Sequence, residues 1–135
     1  MNTKRFILIV DDDTDDREIL RDAFQAHNKN GQEYVLIESG DALLNYLHQN
    51  NEELPALIML DLNMPGKDGR ETLKELKASE AYQQIPIVVF TTSSSQRDQQ
   101  MSYKLGANCF ITKPDTFNKL VELTNAITHL WLSQK

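Results

Sequence analysis

Carboxylates, a hydroxyl and an ammonium stand where apolar runs of this chain stop. Asp11, Asp12 and Asp13 follow Phe6-Ile7-Leu8-Ile9-Val10, and Asp61 follows Leu57-Ile58-Met59-Leu60. Thr91 follows Ile87-Val88-Val89-Phe90, and Lys113 follows Asn108-Cys109-Phe110-Ile111-Thr112. Carboxylate oxygens drawn from two such runs can hold Mg²⁺, a hard cation that takes oxygen ligands and retains several waters. A threonine hydroxyl and a compact lysine charge would complete the equipment for stabilising a phosphoryl group while the metal offsets its charge.

Each group also has a plainer explanation. Asp61 could satisfy the amides of the turn that Asn63, Pro65, Gly66 and Gly69 impose directly after it. Asp13, Thr14, Asp15 and Asp16 suit a helix start, where the helix dipole favours acids, although that explains Asp11 and Asp12 less well. Residues 92–95 read as a polar loop with an N-cap, and Lys113 as a solvated surface lysine. The joint occurrence carries the argument. If the apolar runs are parallel strands, their carboxyl ends share one edge, the place where open α/β sheets keep their ligand crevice.

The elements that would position these groups follow from periodicity. The β-branched, continuous run 6–10 and the run 57–60 read as strands buried on both faces. After the first comes a helix from Thr14, with the apolar residues Ile19, Leu20, Ala23 and Phe24 at helical spacing and a stop at Asn28 to Gly31. Tyr34-Val35-Leu36-Ile37 is a short strand. Ala42, Leu43, Tyr46 and Leu47 then mark an amphipathic helix, and residues 68–77 a third with Leu73 and Leu76 inward. Residues 79–86 form a loop, and 94–104 a polar segment anchored by Met101 and Leu105, which predicts one of the looser elements. Thr116 opens a final helix reaching toward Trp131. Its stripe of Phe117, Leu120, Val121, Leu123, Ile127, Leu130 and Trp131 suits either a well-buried packing helix or, with the fourth helix, a dimer or partner surface. Strand and helix alternate five times, so the fold class is α/β, three layers with a five-stranded parallel sheet and helices on both faces. Periodicity leaves the strand order open.

At 135 residues, with 40% hydrophobic and 25% charged residues, the chain suits one soluble globular domain over residues 1–135. A net charge of -6 offers no basic stripe for a nucleic-acid backbone. The single cysteine, Cys109, reads as a buried core thiol and fits a reducing compartment. The start of the chain resembles neither a signal peptide nor a membrane span, so a cytoplasmic protein is expected.

The motifs ILIVDDD, IMLDLNMPGKDG, VVFTTS and FITKP closely resemble, in order and spacing, the receiver domain of two-component response regulators, over essentially the whole chain. The resemblance implies a flavodoxin-like receiver fold with strand order 2-1-3-4-5. It implies that Asp61 is the phosphoacceptor and that Mg²⁺ is bound by Asp12, Asp61 and the Asn63 backbone carbonyl, with Asp11 acting through metal-bound water. Thr91 would be the switch hydroxyl, Lys113 its cationic partner, and Phe110 an aromatic switch lacking the commoner tyrosine hydroxyl. The peptide bond before Pro114 would be cis, and Ser93 lies where the family tunes its dephosphorylation rate. Asp13 receives no role.

By the same resemblance the partners would be a sensor histidine kinase or phosphotransfer protein and a downstream protein target; the stripe on the last helix, where it is not core, would allow a homodimer through the fourth and fifth helices. Small receivers paired with phytochrome-type sensor kinases look similar. No output domain is expected after the last helix, so signalling through protein contact is expected, without nucleic acid or membrane. Two other classes stand beside this switch. A phosphatase-like hydrolase using Asp61 as nucleophile would lack an obvious general acid, because Asn63 stands at that spacing. A phosphorylation-independent binding module is the other, and Asp12, Asp61, Thr91 and Lys113 together argue against it.

Overall fold

The computed structural model describes residues 6–26, 32–64, 66 and 68–132. The expected helix stop at Asn28 to Gly31, the lead-in of residues 1–5 and Pro65 lie outside the described residues. Five strands, Phe6–Val10 (β1), Glu33–Ile37 (β2), Leu57–Leu60 (β3), Ile87–Thr91 (β4) and Cys109–Thr112 (β5), alternate with five α-helices. All the strand pairs are parallel, and the sheet order is β2-β1-β3-β4-β5. Both match the expectation.

Alternation along each central strand divides the core into two layers. Phe6, Leu8 and Val10 of β1, with Ile58 and Leu60 of β3, pack against Leu43 and Leu47 of Gly40–Gln49 (α2) and Leu73 and Leu76 of Gly69–Ala78 (α3). Ile7 and Ile9, with Leu57 and Met59, face Leu20, Ala23 and Phe24 of Thr14–Gln25 (α1) and Leu120 and Ile127 of Phe117–Ile127 (α5). Burial on both faces is why β1, β3 and most of β4 are unbroken apolar runs. Edge strands β2 and β5 are only half-buried along most of their length, as a strand paired on one side permits.

Every α-helix begins on a side chain that accepts a backbone N–H from the first turn: Asp13, Ser39, Asp68, Ser95 and Thr116. Such caps contribute about 1 kcal/mol each and fix where a loop becomes a helix. The third acid after β1 thereby gains its role, because Asp13 accepts from the Asp16 amide and starts α1.

Several packing expectations fail for identifiable reasons. Ile19 is 45% exposed, since the buried stripe of α1 is carried by Leu20, Ala23 and Phe24. In Gln96–Lys104 (α4) the expected anchor Met101 faces outward at 38% exposure and Ser102 occupies the inward position, while Leu105 just beyond the helix half-buries against the α2 and α3 layer. Cys109 lies on an edge strand and is half-buried. The 79–86 connection is more than a surface loop: Tyr82 and Ile85 enter the core, and the Lys77 ammonium donates to the carbonyls of Gln83 and Ile85 at 3.0 Å each. α5 passes into a π-helical turn, Thr128–Leu132, in which Leu132 is buried while Leu130 is 72% exposed. The final apolar stripe is thus mostly core, with Phe117 and Leu130 left outside.

Candidate functional site

The carboxyl ends of β1 and β3 are neighbours in the sheet, and this adjacency builds the site. The register pairs Val10 with Leu60, and the Asp61 amide continues the ladder by donating to the Val10 carbonyl at 3.0 Å. Asp11 and Asp61 therefore stand side by side, one strand spacing apart, and both are buried. Asp12, in contrast, is exposed. One carboxylate oxygen from each of Asp11, Asp12 and Asp61 lies within 4.8 Å of the others.

Lys113 arrives from the end of β5. Its ammonium donates to Asp11 at 2.8 Å and to Asp16 at 3.1 Å, and it stands 3.8 Å from Asp61. Its reach is steadied by its own backbone amide, which bonds the Thr91 carbonyl at 2.7 Å. Burial pulls the lysine pKa down, but the hydrogen bond and charge of Asp11, with the charge of Asp61 and the hydrogen bond to Asp16, outweigh it and the net shift is upward. Thr91, fully buried at the end of β4, offers its oxygen to the Asn63 side-chain amide at 3.3 Å and the Ser93 backbone amide at 3.4 Å.

Asp61 is the strained titratable group. Burial raises its pKa from an ordinary aspartate value to about 6, and the Asp11 charge adds to the rise. Lys113, the Asn63 amide and the Thr91 hydroxyl oppose it without cancelling it. One ammonium therefore serves more carboxylates than it can neutralise, and the cluster favours a second cation. Carboxylate oxygens select a hard divalent ion, and oxygens within 4.8 Å are close to the roughly 4.2 Å span of two opposite ligands on Mg²⁺. The residues present therefore fit a divalent cation.

Of the expected site residues, Asp11, Asp12, Asp61, Thr91 and Lys113 converge on this edge. The Asn63 amide donates weakly to Asp61 at 3.4 Å. Phe110 is half-buried against the α2 and α3 layer, with its amide bonded to the Tyr103 hydroxyl at 3.0 Å. The cis expectation at Pro114 is corrected: among the described residues no peptide bond is cis, and the Lys113-Pro114 bond is trans. With the trans bond Lys113 already reaches Asp11 and Asp16, so nothing opposes the ordinary trans preference of about 0.5–1 kcal/mol.

Sequence reasoning missed several participants. Asp16 shares Lys113 with Asp11, and the Arg17 guanidinium clasps the Asp11 carbonyl at 2.6 Å. The Asn63 side chain holds Thr91, a contact spanning 28 residues that local pattern does not announce. The sequence places Gly69 in a turn, and the structure shows further that its position admits no side chain: a Cβ there would run into the Asp61 carbonyl oxygen and lie 2.6 Å from the Leu62 Cα. Its amide donates to the Leu62 carbonyl at 2.9 Å, which presses the start of α3 against the Asp61 backbone. The glycine so close after an acid was the available signal.

Residues 7–125 match the family model described as the response regulator receiver domain. Response regulator Rcp1 of Synechocystis sp. is 35% identical over 135 residues, covering 97% of this chain and 91% of that protein. Among solved structures, the phosphorylated cyanobacterial phytochrome response regulator RcpA superposes with a TM-score of 0.89 at 36% identity, covering 97% of this chain and 96% of that one. The Mn²⁺-bound form of Rcp1 gives a TM-score of 0.85 at 34% identity, with the same coverages.

Proposed function

Because the chain belongs to the response regulator receiver family, we propose that it is a phosphorylation-dependent signalling switch whose Asp61 accepts a phosphoryl group from a histidine kinase or phosphotransfer protein. The carrying observation is Asp61 itself: a buried carboxylate on a central strand end, with an ammonium 3.8 Å away and two further acids within 4.8 Å. The similarity to phytochrome response regulators supports a sensor kinase of that type as donor. The unit proposed is one receiver domain over residues 1–135, acting in the cytoplasm. Among the described residues no helix is long and apolar enough to cross a membrane.

An Asp61 oxygen attacks phosphorus in line, the bond from phosphorus to the histidine nitrogen breaks, and the leaving imidazole takes a proton from solvent. The attacking form is the carboxylate, and its raised pKa of about 6 still lies below neutral pH. Asp12, Asp61 and the Asn63 carbonyl, with Asp11 through water, would hold Mg²⁺, which would supply charge neutralisation at the transferring oxygens. Lys113 moves its ammonium from Asp16 toward the new phosphoryl oxygens, and Thr91 donates its hydroxyl to them. Water later cleaves the acyl phosphate, so the chemistry resets a switch and does not turn over a free substrate. The added charge favours the conformer in which Thr91 and Lys113 face the phosphoryl group, with Phe110 repacking behind Thr91 and the signal read by a protein partner.

The test is incubation of wild type and Asp61→Asn with Mg²⁺ and acetyl phosphate, followed by intact mass. A labile phosphoryl adduct on wild type and none on the variant is expected. Absence of an adduct on wild type would leave a phosphorylation-independent binding module, and sustained phosphoester hydrolysis would indicate an enzyme.

A further inference from the structure

A second polar network lies behind Thr91, outside the acidic cluster. Asp98, in the first turn of α4, accepts from the Ser93 hydroxyl at 2.7 Å and from the Arg70 guanidinium at 3.0 Å. Arg70 belongs to α3, where it also pairs at 3.5 Å with Asp68, the residue that caps that helix. The Ser93 hydroxyl and then Arg70 hold the Asp98 carboxyl below the usual carboxylate range. Ser93 is fastened on three further sides. Its amide donates to Thr91 Oγ1 at 3.4 Å, its hydroxyl oxygen accepts the Ser95 amide at 3.1 Å, and its carbonyl accepts the Thr112 hydroxyl at 2.9 Å.

Two facts give this network a task. Ser102 is the buried residue of α4, so apolar packing does little to place that helix's first turn, and the bridge from Arg70 through Asp98 to Ser93 does it instead. The oxygen of Thr91 already receives two donors, the Asn63 side chain and the Ser93 amide. With both lone pairs engaged, its own proton is left for an acceptor, and Asn63, whose backbone amide bonds Asp61 while its side chain bonds Thr91, sets the Asp61 carboxylate beside it. Where Ser93 sits decides where that proton points.

We propose that Arg70 and Asp98 are positioning residues for phosphorylation: they hold the 91–95 loop so that the Thr91 hydroxyl proton faces the accepting oxygen of Asp61. This rests on Asp61 being the phosphoacceptor. Neither residue touches the reacting atoms. Their effect passes through Ser93 to Thr91, so it must vanish when Thr91 has no hydroxyl.

The experiment measures the rate of adduct formation on the full chain with acetyl phosphate and Mg²⁺, followed by intact mass, for Asp98→Ala, Arg70→Met and each combined with Thr91→Ala. Each single variant slows phosphorylation on the order of tenfold, and neither slows it further in the Thr91→Ala background. Should Asp98→Ala lose its native circular dichroism, Arg70→Met and Ser93→Ala carry the comparison. Wild-type rates in the folded variants overturn the proposal, as does an equal loss in the Thr91→Ala background, because the effect then bypasses Thr91. No adduct on wild type overturns this and the phosphoacceptor reading together, whereas an adduct on wild type with unaffected variants overturns this proposal alone.

Discussion

Lys113 closes a 2.8 Å ion pair with Asp11 across 102 residues of chain, and so fastens the end of β5 to the end of β1 over the intervening strand ends. Both partners are largely withdrawn from water. Removing the cation while leaving the anion is the costly way to break such a pair. Lys113→Met is therefore expected to destabilise the protein by roughly 2–4 kcal/mol at pH 7.5 without divalent ions. Urea denaturation checks it, and a loss below half a kcal/mol would mean that Asp16 and solvent already compensate Asp11.

The elevated pKa of Asp61 predicts a pH-dependent stability of definite sign. Its folded value, about 6, lies above the ordinary value of 3.8, so the fold prefers the protonated acid. The stability contributed by that preference is full below pH 3.8, declines as pH rises toward 6, and is gone above it. Asp61→Asn mimics the neutral form at every pH. It should be more stable than wild type by roughly 1–3 kcal/mol at pH 7.5, with the advantage fading as pH falls to 4. Paired unfolding curves from pH 4 to 8 in chelator decide this, and a variant less stable than wild type at pH 7.5 contradicts it.

Divalent ion binding should follow the same proton. Titration calorimetry with Mg²⁺ or Mn²⁺ is expected to show affinity rising through pH 6 and levelling off above it, because the ion competes with the Asp61 proton. Asp12→Asn should weaken binding by about tenfold or more, although Asp12 is exposed and contributes little to folding. Affinity that is flat from pH 5 to 8 would place the ion away from Asp61.

Gly69→Ala tests the contact behind Asp61. The added Cβ meets backbone atoms of Asp61 and Leu62, which cannot yield as a flexible side chain would. A destabilisation of about 1–3 kcal/mol is expected, together with slower phosphorylation by acetyl phosphate, since relief of the clash must displace Asp61 or α3. A neutral substitution in both assays would show that α3 pivots freely from the strand end.

The sequence made the strand ends legible because burial on both faces writes a continuous apolar run, and a charged residue at its end is conspicuous. Asp11, Asp61, Thr91 and Lys113 were visible for that reason, and sharing one sheet edge followed from the strands being parallel. Residues whose roles arise from tertiary placement were not. Asp16 reads as one more acid at a helix start and Asp98 as one more charge in a polar segment, while nothing local marks Arg17. Met101 and Ser102 show the same limit: one step of helical phase decided which entered the core, and hydrophobicity pointed to the wrong one. The trans bond before Pro114 marks where resemblance to a family, and not local chemistry, supplied the expectation.

The register of β1 on β3 has a thermodynamic consequence. Asp11 and Asp61 are brought together by the pairing of two central strands, with Val10 opposite Leu60, so their separation is measured by the sheet itself. In the unfolded chain nothing holds them near each other. A divalent ion that needs both recognises the assembled sheet and ignores the open chain, and each tenfold excess of free ion over its dissociation constant adds about 1.4 kcal/mol to the fold. An ion held in this way would make the melting temperature a readout of ambient divalent ion, and a chelator would act as a mild denaturant.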